Sequence, residues 1–201
     1  MKKLLLTLLT GILLIPMAMS QGYDIGDKAM NFKLKNVDGS YISLSDYNDE
    51  KGVIVVFTCN HCPYAQAWEQ RIIDLDKKFE SKGYPVVAIQ PNDPEMAPGD
   101  SFDKMKERAE EKNYTFPYLM DEKQEVYKAY GAERTPHVYV LENKDSEFIV
   151  QYIGAIDDNY KDPEAVEKRY TASAVKALLN GQKPDPEKTK AIGCSIKDKD
   201  K

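Results

Sequence analysis

The alternation of apolar and polar positions divides the chain into short strands and amphipathic helices. Phe32 and Leu34 alternate with lysines, Asp38-Gly39 supplies a tight turn and residues 41–44 return, so residues 31–44 predict a β-hairpin. After a loop ending at Gly52, Val53-Ile54-Val55-Val56-Phe57 is apolar throughout, the composition of an interior strand covered on both faces. A helix is predicted over residues 63–82, where Ala65, Trp68, Ile72, Leu75 and Phe79 share one face and Gly83 provides the stop. Residues 86–89 repeat the buried-strand pattern, and residues 91–99 form a loop rich in Pro, Asn and Asp. Residues 102–112 predict a charged helix with a solvated face, residues 116–119 a short strand, and residues 125–130 a short helix ended by Gly131. Two strands at 137–141 and 148–153 pair as a hairpin, and a last helix over 164–180 is capped by Gly181. The order β-β, β-α-β-α, β-β-α predicts an α/β protein with a mixed central sheet flanked by helices on both faces. Trp68 and the tyrosines near it are assigned to the core. The acidic pairs Asp121-Glu122 and Asp157-Asp158 read as solvated turns.

The two ends of the chain differ from this pattern. Lys2 and Lys3 precede an apolar stretch from Leu4 to Ile15, and Ala18 and Ser20 place small residues before Gln21 as a cleavage site would. Residues 1–20 therefore read as a bacterial signal peptide, which sends the mature protein to the periplasm or outside the cell. The apolar stretch is short for a membrane span, so no stable membrane insertion is expected after cleavage. Residues 21–183 hold a single domain, and residues 184–201 turn to Pro, Lys and Asp as a tail would. Within that tail, residues 191–196 form an apolar patch around Cys194 that should pack against something. With 201 residues and a net charge of −5, the chain carries no basic cluster dense enough for nucleic acid or anionic lipid.

The chemistry concentrates at Thr58-Cys59-Asn60-His61-Cys62-Pro63, two thiols between a buried strand and the start of a helix. A thiol at a helix N-terminus meets unpaired N–H groups and the positive end of the dipole, which favours its thiolate. Pro63 suits the first helical position, which makes Cys62 the capping residue and leaves Cys59 one turn upstream. This geometry favours Cys62 as the attacking thiol and Cys59 as its resolving partner, although most CxxC enzymes use the first cysteine. A structural staple is a poor alternative. Three cysteines leave one unpaired, and so small a loop gains little from closure.

The CxxC after the first central strand, with Gly131 and Thr135-Pro136 before the hairpin, resembles the thioredoxin superfamily over roughly residues 25–181. More narrowly it is similar to the AhpC/TSA and TlpA-type branch, in a peroxiredoxin-like group with Cys-Asn-His-Cys-Pro-Tyr, Thr-Pro-His and a late Gly-Cys-Ser-Ile-Lys. The resemblance implies a thioredoxin-like fold with an N-terminal β-hairpin and an insertion before a cis Thr135–Pro136 bond. It places Thr135 and Pro136 against Cys59 and Cys62, where they would hold an extended substrate and keep metals out. It implies a thiol–disulfide oxidoreductase that needs neither cofactor nor metal. Its partners would be protein or small-molecule disulfides and a redox donor or acceptor protein. Peroxiredoxins use Pro-x-x-x-Thr-x-x-Cys-Pro, and this chain has Val55 at the proline position and Cys59 at the threonine position. Thr135 stands near the place of the peroxiredoxin arginine, with Arg134 out of register, so weak peroxidase activity is expected. The buried acid of thioredoxins is missing from residues 53–57, which leaves solvent, His61 or His137 to take the proton.

His61, between the thiols, would stabilise a thiolate if cationic, or would simply face solvent. His137 points at the sulfurs or into the core, with the core favoured. Cys194 has three readings: a resolving or accessory thiol, a cross-link to a partner, or a small buried hydrophobe. Two further functions compete with disulfide exchange. One is Cu(I) binding by Cys59 and Cys62 with His61, His137 or Cys194 as third ligand. The other is a dithiol peroxidase.

Overall fold

A computed structural model of the protein describes residues 22–200; the expected signal peptide lies outside them. Strands β1 (Lys33–Asn36) and β2 (Tyr41–Ser43) form the first hairpin, β3 (Gly52–Phe57) follows, and helix α1 runs over Pro63–Phe79. Next come β4 (Val86–Gln90), α2 (Phe102–Lys112), β5 (Tyr118–Met120) and α3 (Val126–Tyr130). The chain closes with β6 (Arg134–Thr135), β7 (His137–Lys144), β8 (Glu147–Gly154), α4 (Tyr170–Leu179) and β9 (Cys194–Ser195). The main sheet has seven strands in the order β2-β1-β5-β4-β3-β7-β8, while β6 and β9 pair apart from it.

β3 runs parallel to β4 on one side and antiparallel to β7 on the other, so the sheet is mixed as expected. Its alternate side chains fill two cores. Ile54 and Val56 pack with Trp68, Ile72 and Phe79 of α1 and Val175 of α4. Val53, Val55 and Phe57 pack with Tyr127 and Tyr130 of α3 and with Phe32 before the first hairpin. Burying each such side chain stabilises the fold by about 1.5–3 kcal/mol, which anchors the end of β3 from both faces. That end carries the first thiol.

The helix after the thiols keeps its predicted start. Cys62 is the N-cap with extended backbone, and Pro63 occupies the first turn. The predicted end at residue 82 holds only in part, since the α-helix stops at Phe79 and a 3-10 turn over Glu80–Lys82 leads to Gly83, whose φ of 86° reverses the chain. α2 buries Met105 alone, and Arg108 ties it to α1 through both carboxylate oxygens of Glu69, at 2.7 and 2.9 Å.

Three expectations are corrected. The last helix begins at Tyr170, not at residue 164. Upstream of it the backbone N–H groups of Asn159, Lys161, Asp162 and Glu164 donate to the side chains of Asp157, Asn159 and Asp162. Such local bonds offer the backbone an alternative to the helical ladder. Asp157 is not a solvated turn residue: it is buried, accepts the Trp68 indole N–H at 2.8 Å and pairs with Arg71 at 2.6 Å. Asp121 is also buried and accepts the backbone N–H of Tyr127 at 2.8 Å at the start of α3.

The segment read as a tail is held along its length. Ile153 N–H donates to the Glu187 carbonyl and Thr189 N–H returns to the Ile153 carbonyl, both in β8 register. Further on, Lys197 N–H donates to Asn92 Oδ1 at 2.8 Å and Lys199 N–H to Gln124 Oε1 at 3.0 Å. Between those two fixings lies β9, which brings Cys194 across the mouth of the CxxC turn.

Candidate active site

Cys59, Cys62 and Ala65 form one small buried cluster with Cys194 packed against it. The structure joins Cys62 to Cys194 by a disulfide, with Cα atoms 6.2 Å apart, and leaves Cys59 as the free thiol. The expected pairing of Cys59 with Cys62 is therefore not the one present. The bond places Cys194 beside the CxxC turn. Both earlier cysteines meet Thr135: the Cys59 thiol donates to Thr135 Oγ1 at 3.2 Å, and Cys62 Sγ lies 3.4 Å from the Thr135 carbonyl oxygen. The Thr135–Pro136 bond is cis. Thr135 thus lies against both cysteines, next to the cis bond.

Burial pushes the Cys59 thiol up to about 11, and the nearby Asp100 carboxylate adds to the rise, while the Thr135 hydroxyl pulls the other way. A thiol so raised carries little thiolate at neutral pH. Cys62 instead caps α1, where the dipole and the free N–H groups of the first turn favour an anion.

Asp100 is the site residue that sequence reasoning missed. It is fully buried and gathers the CxxC turn from the far side. Oδ1 accepts the backbone N–H of Asn60 at 2.8 Å and of His61 at 3.2 Å, and Oδ2 lies 2.6 Å from His61 Nδ1 and 2.7 Å from Asn92 Nδ2. Asn60 is fixed further, donating to the Gly99 carbonyl and accepting the Tyr118 hydroxyl at 2.9 Å. β3 carries no acid, and the carboxylate that holds the turn comes from the segment after β4. No local signal marks it, since it is one of 33 acidic residues and follows directly on a Pro-, Asn- and Asp-rich loop.

His61 holds Asp100 with one nitrogen, and its side chain stays 42 % exposed, so it links a buried carboxylate to solvent. His137 is buried beside the Tyr139 ring and its Nδ1 accepts the Glu133 N–H at 3.3 Å. Burial pushes it down to about 4, so it is neutral at physiological pH and supplies no cation to a thiolate. Its role as a tuning charge is withdrawn, and the core reading stands.

The same burial has a consequence for stability. The unfolded chain's histidine takes a proton near 6.5, whereas the folded one refuses it until about 4, so stability falls as pH drops through that window. The loss attributable to His137 is about 3 kcal/mol at full development. Urea titrations at pH 7 and pH 4.5 of the protein and of His137→Phe check this, the variant being expected to lose less stability on acidification.

Cys59 Sγ, a His61 ring nitrogen and an Asp100 oxygen lie within 4.8 Å of one another. His61 Nδ1 and Asp100 Oδ2, however, are already hydrogen-bonded at 2.6 Å. Two tetrahedral ligands of one ion stand about 3.3 Å apart at bond lengths of about 2.0 Å. As placed, this set fits a hydrogen-bonded network better than an ion.

A helix-capping cysteine, joined to one thiol and flanked by another beside Thr135–Pro136, defines a thiol redox site on a thioredoxin-like fold. The chain belongs to the AhpC/TSA family, whose model matches residues 25–158. A crystal structure of an uncharacterized conserved protein from Geobacillus kaustophilus is similar over 89 % of this chain and 94 % of that one, with 40 % identity and a TM-score of 0.81. The thiol–disulfide oxidoreductase ResA of Bacillus thuringiensis subsp. konkukian is 26 % identical over 131 residues, 65 % of this chain and 70 % of that protein. Peroxidoxin BcpB from Mycobacterium tuberculosis shares the fold, with 20 % identity, a TM-score of 0.54 and coverage of 64 % of this chain and 83 % of that one.

Proposed function

We propose that the protein is an exported thiol–disulfide oxidoreductase in which Cys62 is the exchanging sulfur. The carrying observation is that Cys62, at the cap of α1, is bonded to Cys194 while Cys59 waits in the same cluster beside Thr135. In the reduced protein the Cys62 thiolate attacks one sulfur of a substrate disulfide and expels the other as a thiolate. A second cysteine of the protein then attacks Cys62 and releases the remaining substrate thiol. The substrate gains two electrons, and the protein keeps one new disulfide, with Cys194 as the partner seen here. Run in reverse, the same steps oxidise a dithiol. Thr135 and Pro136 hold the substrate chain, and a redox partner protein resets the site. Among the described residues no helix is long and apolar enough to cross a membrane. Export itself rests on the signal-peptide pattern of residues 1–20.

Family membership keeps the peroxidase reading in view, yet Cys59 replaces the expected hydroxyl. Arg134 turns its guanidinium to the Gly193 carbonyl, 3.4 Å away. Rapid oxidation of the reduced protein by peroxide would restore that reading.

The test is to equilibrate the mature protein in graded dithiol/disulfide buffers and follow Trp68, which is buried on α1 less than two turns beyond Cys62. Alkylation and mass mapping would assign the bond. A reversible two-electron transition between roughly −120 and −270 mV is expected, with Cys62 as a member of the bond. A disulfide that stays closed well below about −300 mV would be structural, and the exchange reading would fall.

A further inference from the structure

Cys194 does not reach Cys62 on a free loop; it arrives in an extended strand. β9 pairs antiparallel with β6, Cys194 opposite Thr135 and Ser195 opposite Arg134. The ladder cannot continue to position 136, because proline has no N–H to donate. The residue before Cys194 therefore lies directly on the Thr135–Pro136 backbone, and that residue is Gly193. A Cβ there would stand 2.6 Å from the Thr135 carbonyl carbon and 3.2 Å from Pro136 N, and closer still to the Thr135 carbonyl oxygen. These are backbone atoms next to the site, which cannot swing aside as a flexible side chain would. Nor is Gly193 among the residues with positive φ. It is needed for the space it leaves, not for its backbone freedom.

An incoming substrate must also bring a sulfur to Cys62 past Thr135 and Pro136. The seat that would receive it is the one β9 fills. We propose that residues 193–195 occupy the position of a disulfide-bearing substrate strand, and that this seat selects extended polypeptides with glycine immediately before the reacting cysteine. The inference rests on the exchange reading above and names the substrate class of that same site. The protein's own strand is then a built-in competitor. When a substrate strand displaces it, the Cys62 thiolate attacks the substrate cysteine's sulfur, the leaving thiol departs with the electron pair, and a Cys62–substrate mixed disulfide forms. When Cys194 returns as thiolate it attacks Cys62, the substrate cysteine leaves as a thiolate, and the Cys62–Cys194 bond is restored.

Two hexapeptides test this on the full reduced protein, Ala-Ile-Gly-Cys-Ser-Ile and Ala-Ile-Ala-Cys-Ser-Ile, each as a mixed disulfide with thiopyridine. Release of thiopyridone reports the attack, and dithiothreitol calibrates the intrinsic reactivity of each peptide. The glycine peptide is expected to react about ten- to hundredfold faster than the alanine peptide, the range that forced overpacking implies. In the Gly193→Ala protein the internal competitor is weakened. Mapped oxidised samples should then shift from Cys62–Cys194 towards Cys59–Cys62, and the glycine peptide should react faster than with the unaltered chain. A merely destabilising substitution would not accelerate it. Equal rates for the two peptides, or an unchanged Cys62–Cys194 pairing in Gly193→Ala, would overturn the inference and leave exchange standing. No reaction with either peptide would remove both.

Discussion

In a protein whose Cys194 is already serine, so that no thiol is freed outside the turn, replacing Cys62 with serine lowers the rate of disulfide exchange by about a hundredfold at pH 7. The only thiol then left inside the turn is Cys59, held at about 11 by burial and by Asp100. Its thiolate fraction at pH 7 is roughly one part in ten thousand, whereas the helix N-terminus favours the thiolate of the capping cysteine. The more basic thiolate is the better nucleophile, which returns part of that difference. The remainder, together with the burial of Cys59, gives the expected deficit. The residual rate should climb about tenfold per pH unit towards pH 11, because it follows the Cys59 thiolate. Cys59→Ser, by contrast, keeps the capping thiol and its bond to Cys194, and should retain the first attack at close to the full rate. Stopped-flow reaction of each reduced variant with a small aromatic disulfide decides the matter. If Cys59→Ser loses as much as Cys62→Ser, the assignment of the attacking sulfur is wrong.

Asp100→Asn is expected to weaken the fold by about 3 kcal/mol, the scale of removing one member of a buried, hydrogen-bonded charged group. The loss arises because asparagine keeps a single acceptor. Asp100 receives two backbone N–H groups on one oxygen and holds His61 and Asn92 on the other. The substitution also removes a negative charge that opposes ionisation of Cys59. In the oxidised protein Cys59 is the free thiol, so the pH dependence of its alkylation reports on that residue alone. The midpoint, near 11 in the unaltered chain, should move down in Asp100→Asn. A general loosening of the turn would raise the alkylation rate at every pH without moving the midpoint. Urea denaturation gives the stability term and the alkylation profile gives the electrostatic one. An unmoved midpoint would mean that burial alone raises Cys59, and that Asp100 only shapes the turn.

Sequence patterns reached the parts of this protein that are set locally. The unbroken apolar run at 53–57 announced a strand with cores on both faces, and the spacing of Trp68, Ile72, Leu75 and Phe79 announced the helix that covers one of them. Pro63 after Cys62 marked the helix start. Thr135 and Pro136 were placed by motif. These features depend on a few consecutive residues, whose conformational preferences and periodicity act before any distant contact is made.

Tertiary structure decided what distant segments do to one another. Cys194 lies 132 positions from Cys62, and no local property chooses its partner. The pairing exists because the last residues are fastened at Ile153, Asn92 and Gln124, which brings one strand past Thr135. Asp121 and Asp157 have the pattern of solvated turns and Asp100 carries no local signal, yet each is buried where a helix start, a guanidinium or a turn needs an acceptor. A carboxylate costs free energy to bury unless such partners are present, and those partners come from other parts of the chain. The reactive turn was therefore determined by sequence, whereas its charge, its disulfide and the strand that carries Cys194 past Thr135 were determined by the fold.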